Sequence, residues 1–135
     1  MIAAGLVTGA LILRGDGDGS TDAAATTCQA WTETRETLRS IPALPEGWNW
    51  NTPDIDTAIK NQNAPVGKAL DLFEPKIAPT PADVAQAAQA YVAARRTQMQ
   101  SLADRSYRPA DGTAVDVALG NLNRLCGIRD NGTRI

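Results

Sequence analysis

The chain contains no histidine. That removes the side chain most used for acid–base chemistry near neutral pH and the most frequent metal ligand. Aromatics are scarce. Trp31, Trp48, Trp50, Phe73, Tyr91 and Tyr107 are all there are in 135 residues, so the core is small and filled largely by alanine and aliphatic side chains. An excess of charge of either sign is also lacking. Thirteen Lys and Arg stand against 15 Asp and Glu, a net charge of -2, and no basic stripe marks a nucleic-acid surface. No phosphate loop, nucleophile elbow or histidine-based triad occurs. Paired carboxylates such as Asp54 and Asp56 fall at a helix start, where capping accounts for them. These absences lead us to expect a non-enzymatic domain with no metal, no cofactor and no nucleic-acid partner.

Cysteine is nearly absent, but Cys28 and Cys126 lie at opposite ends of one helical region. A disulfide between them would close almost the whole domain and would require an oxidising compartment. A redox-active pair is not indicated, because there is no Cys-x-x-Cys spacing.

No apolar run reaches the length of a full membrane span. Residues 1–13 are apolar and stop at Arg14. Thirteen helical residues cover roughly 20 Å, whereas a span takes about 20 residues. A signal-peptide core, a shortened membrane anchor and a buried helix all fit. A basic start, usual for a signal peptide, is missing, so the preferred expectation is a single-pass anchor, with secretion as the alternative. Gly5 and Gly9 have the spacing of a membrane-helix packing face. Residues 14–21 alternate glycine and aspartate and read as a flexible linker. Calcium is disfavoured there. Counted from Asp16, the sixth loop position is Thr21 instead of Gly and the twelfth is Thr27 instead of Glu.

Four helical segments follow, over residues 22–128. In the first, Cys28, Trp31, Arg35, Leu38 and Ile41 recur at helical steps from about Asp22 to Ser40. The second has Thr52 as a candidate N-cap with Pro53 and Asp54 in the first turn. Ile55, Ile59, Val66, Leu70, Phe73 and Ile77 carry its stripe through Pro65, where a kink or break near Asn63-Ala64 is expected. The third opens on a capping-box-like Thr80-Pro81-Ala82-Asp83. Its face is Val84, Ala88, Tyr91, Arg95, Met99 and Leu102, and it extends to about Tyr107. The fourth is expected near Thr113, with Val115, Ala118, Leu119, Leu122, Leu125 and Cys126 inward and Gly127 as terminator. Pro-Ala-Asp at Pro81 and again at Pro109 reads as repeated helix-start chemistry. Residues 129–135 form a tail, with a glycosylation sequon at Asn131-Gly132-Thr133.

Short connections favour an all-α, up-down-up-down four-helix bundle. That topology brings Cys28 next to Cys126, as a disulfide requires. It also gathers Trp48, Asn49, Trp50, Tyr107 and Arg108 at the opposite end, as candidate partner-binding residues. The plainer alternative is that the tryptophans fold back and cap the bundle. Arg35 and Arg95 interrupt apolar faces. They either form a basic site for an anion or snorkel to solvent.

The apolar start, the acidic linker, Cys28-Gln29-Ala30-Trp31 and the distal Leu125-Cys126-Gly127 together resemble small single-pass envelope proteins of actinobacteria, particularly mycobacteria. Usage rich in Ala, Thr, Asp and Arg suits a high-GC genome. The resemblance implies a membrane-anchored extracytoplasmic domain and transfers no catalytic residue. The functional expectation is an interaction module tethered by its N-terminus, serving another envelope or membrane protein. The alternative is a small-molecule or lipid carrier with its site between helices two and three.

Overall fold

The computed structural model describes residues 18–128, with side chains from Ala24 onward. The apolar segment 1–13, the first four linker residues, the tail 129–135 and its sequon lie outside the described residues. The architecture is all-α: α1 is Asp18–Arg39, α2 Ile55–Phe73, α3 Ala82–Ala103 and α4 Pro109–Leu125, with a single 3-10 turn, Glu74–Lys76, after α2.

Three contacts set the helix directions. The Thr27 hydroxyl accepts the Ala78 N–H at 2.9 Å, which places the middle of α1 beside the segment that follows α2. Arg105 pairs with Asp56, which places the end of α3 beside the start of α2. Cys28 and Cys126 are disulfide-bonded with Cα atoms 5.4 Å apart, which places the middle of α1 beside the end of α4. The result is the expected up-down-up-down bundle, with the expected disulfide across 98 residues. A bond of this kind forms and persists in oxidising surroundings. Alanine-rich α3 lies closest to α4, with Ala88 and Ala118 buried between them.

Helix boundaries depart from the sequence pattern for local reasons. α1 begins at Asp18, within the segment read as linker. Thr52 is not an N-cap. Its hydroxyl accepts the N–H of Asn49 at 2.9 Å, Asp54 takes a left-handed φ of 60°, and α2 starts at Ile55. α2 then runs through Pro65 without a break. An interior proline costs about 3 kcal/mol, but Ile59 lies before it and Val66, Leu70 and Phe73 after it, all buried. Asn63 also donates to the Met99 carbonyl of α3 at 3.0 Å. The burial of those large side chains outweighs the proline.

The capping box expected at Thr80 does not form. Pro81, after a cis peptide bond, is the N-cap, and the Asp83 carboxylate accepts the N–H of Val84. α3 ends at Ala103, not near Tyr107. Arg105 takes φ 60°, and Ser106 N–H returns to the Ser101 carbonyl at 2.8 Å, a Schellman stop. α4 begins four residues earlier than Thr113. Pro109 occupies the first helical position and Asp111 accepts the Arg108 N–H at 3.0 Å, so both Pro-Ala-Asp copies do start helices. At the other end Gly127 turns at φ 70° and Ile128 N–H bonds the Asn123 carbonyl at 2.8 Å.

The core centres on Trp31, which is fully buried. Its ring lies 5.6 Å from Phe73 and 4.8 Å from Tyr91, edge-on to the latter. Its indole N–H donates to Asn123 at 2.8 Å, so both buried polar groups are satisfied. Burial pushes the Tyr91 phenol above its ordinary value, and the nearby Arg95 guanidinium partly offsets this.

Two outcomes follow. Reducing the disulfide, or replacing both cysteines with serine, should lower the urea midpoint sharply. The loss is up to about 4.7 kcal/mol by chain entropy for a loop of this size, and an unchanged midpoint would refute the staple. Tyr91 is neutral in the fold to higher pH than in the unfolded chain. Its contribution is therefore intact below the unfolded value of about 10 and disappears as pH rises through the folded value. Ultraviolet titration beside circular dichroism should show one tyrosine ionising late, together with alkaline destabilisation.

Candidate functional site

The end opposite the disulfide is shaped by the loop after α1 and the turn between α3 and α4. In the first, the Asn49 side chain accepts the Asn51 N–H at 2.8 Å, and Thr52 N–H returns to the Asn49 carbonyl at 3.0 Å. This pair of turns reverses the chain and sets Trp48 and Trp50 on the same side. Their rings stand 5.0 Å apart at 80°. Tyr107, from the second turn, lies 6.0 Å from Trp48. Beneath them Ile55, Ile59 and Leu102 form a second buried cluster, separate from the Trp31 core. All three aromatics are half-buried. They therefore cap the bundle and still present an edge to solvent.

The sequence-predicted residues are thus brought together, though in different roles. Trp48, Trp50 and Tyr107 form the cap. Asn49 and Arg108 are exposed around it. Arg108 caps α4 through its backbone N–H, and its side chain borders an open cleft with Thr97, Asp104 and Asp111.

Sequence reasoning missed Arg105. Its guanidinium lies over the Trp50 ring at 5.0 Å, pairs with Asp56 at 2.6 Å and donates to the Trp50 carbonyl at 3.2 Å. Its left-handed backbone aims it there, and no residue pattern announces a left-handed arginine. Arg105 also borders an open groove of about 630 Å³ between α2 and α3, lined by Asp56, Ile59, Lys60, Asn63, Ala64 and Leu102. The aromatic edge and the groove therefore adjoin on one face, with Arg105 shared between them.

Among the described residues, no group of His, Cys, Asp and Glu side chains is placed to hold a metal ion. No helix among them is long and apolar enough to cross a membrane. No protein-family model, curated protein or solved structure matches the chain.

The packing of Tyr107 depends on Gly112. A Cβ at that position would lie 2.5 Å from the Tyr107 hydroxyl, whereas one at Gly120 would meet nothing within 4 Å. Gly112→Ala should displace Tyr107 from Trp48 and red-shift tryptophan emission, and the lost contact should cancel the gain in helix propensity, about 1 kcal/mol, that alanine brings over glycine. Gly120→Ala should be neutral or stabilising by up to about 1 kcal/mol. Identical behaviour of the two variants would refute the Tyr107 contact.

Proposed function

We propose that the chain is a non-enzymatic, extracytoplasmic interaction module, an accessory subunit of an envelope protein complex, tethered to the membrane by its apolar N-terminus. The observation that carries the reading is the continuous face at the bundle end. Half-exposed Trp48, Trp50 and Tyr107 stand beside the α2–α3 groove, with Arg105 common to both. Tryptophan, tyrosine and arginine around a pocket are the side chains that dominate protein interfaces. The disulfide supports the compartment, and the resemblance to actinobacterial envelope proteins supports the tether. Secretion after cleavage gives the same domain in the same surroundings.

Truncating Trp48 or Trp50 would confuse binding with folding, because both cover Ile55, Ile59 and Leu102. Arg108 is the cleaner probe, since its side chain is exposed and its cap on α4 runs through its backbone, whereas the Asn49 side chain holds the turn that carries Trp48 and Trp50. Arg108→Glu should sharply reduce co-purification of the partner from native membranes while leaving the unfolding midpoint in place. Undiminished recovery would count against the face.

A second reading, a small-molecule or lipid carrier, draws on the groove itself. Its volume of about 630 Å³ falls in the range of ligand sites, roughly 300–1,000 Å³. Native mass spectrometry of the exported protein separates the two. A retained small molecule favours the carrier, and a bare chain mass favours the module.

A further inference from the structure

Two arginines interrupt apolar stripes on different helices, and the fold brings them together. Arg35 of α1 and Arg95 of α3 line one cleft of about 270 Å³, with Arg39 at its edge and Trp31, Leu38, Tyr91 and Leu119 as walls. Arg95 also lines a neighbouring cleft of about 280 Å³ with Leu44, Trp48, Gln62 and Tyr107. No carboxylate lines either cleft. That is notable in a chain with more acidic than basic residues.

The pairing of these arginines is equally uneven. Arg39 reaches Glu36 at 3.5 Å, on the exposed side. The other ion pairs among the described residues use Arg96 and Arg105, so Arg35 and Arg95 have no acidic partner there. Arg95 interacts with the Tyr91 phenol, yet its Nε is buried without a hydrogen-bond partner. A buried donor left unmatched is costly, and a methionine or leucine would fill the Arg95 position without that cost. Snorkelling explains why the heads can reach solvent. It does not explain a buried Nε, or two unpaired arginines meeting at one opening.

We propose that this cleft binds a small organic oxyanion. A phosphate, sulfate or carboxylate head lies between Arg35 and Arg95, and a short apolar body rests against the partly exposed Leu38 and Leu119, with Trp31 buried behind them. Guanidinium forks suit such heads, because two parallel N–H donors match two oxygens. The cleft size limits the body to a few carbons. This site shares Arg95 with the cleft under Trp48 and Tyr107 but is built on Arg35, and it stands whether or not the aromatic face docks a partner.

The full-length oxidised chain, at constant ionic strength, can be titrated with inorganic phosphate, butyl phosphate, butyrate and butanol. The readouts are the arginine Nε–H and Trp31 indole signals by NMR. Butyl phosphate or butyrate should shift Arg95 Nε–H and Trp31 saturably. The butyl ester should bind roughly tenfold or more tighter than inorganic phosphate, because its chain is buried. Butanol should move neither signal. Arg35→Gln should weaken binding by about tenfold or more, the loss of a charge-assisted contact, with its unfolding midpoint held, and Arg95→Gln should remove binding. The proposal is overturned if neither organic anion saturates, if shifts spread evenly over all arginines, if the two phosphates bind equally, or if Arg35→Gln binds as the parent does.

Discussion

The Cys28–Cys126 bond joins the middle of α1 to the C-cap of α4, and the neighbouring contacts are arranged around that junction. Thr27, one residue earlier, holds the segment after α2 through Ala78. Trp31, one turn later, holds α4 through Asn123. Gly127, one residue after Cys126, reverses the chain so that Ile128 is buried. All four helices are thereby referenced to one end, because Trp31 also touches Phe73 of α2 and Tyr91 of α3. A domain with few large apolar side chains has little burial energy to spare. Restricting the unfolded chain by a long covalent loop compensates for that shortfall.

The two ends are therefore held by different physics. The stapled end relies on a covalent bond, a buried Trp31–Asn123 hydrogen bond and a partly buried one from Ala78 to Thr27. The aromatic end relies on half-exposed rings over a three-residue cluster and on Arg105 paired with Asp56, whose side chains are 48% and 66% exposed. Exposed ion pairs contribute about 0–1 kcal/mol. The aromatic end is thus the one whose surface can repack against another molecule at low energetic cost. Rigid support on one side and an adaptable surface on the other is an arrangement compatible with the proposed docking face.

The bundle, the disulfide and the stop at Gly127 were legible because each depends on short-range pattern or on a simple topological consequence. Cys28 and Trp31 lie one step apart on a helix face, and Cys126 closes the opposite stripe. The misread positions involve competition that pattern alone does not rank. Thr52 is a good cap in isolation, but Asn49 takes its hydroxyl first. Pro65 is a helix breaker in isolation, but buried neighbours on both sides keep α2 whole. The aromatic set at the far end could be collected from topology. Its anchor, Arg105, could not, because a left-handed arginine carries no sequence signature. Arg35 and Arg95 were visible as interruptions, but their meeting depends on the rotation of α1 against α3, which only packing decides.

That meeting links the two ends in one respect. Arg95 stands beside Tyr91 of the stapled core and also lines the cleft under Trp48 and Tyr107. Its guanidinium is thus shared between the rigid half of the molecule and the soft one. A ligand that binds only the folded state stabilises it by mass action. An anion held at Arg95 would act where the covalent loop does not, since the staple restricts the unfolded chain and leaves the local packing of the cap untouched. Contiguity alone does not make a switch, because coupling requires an element with two arrangements that both sites bias.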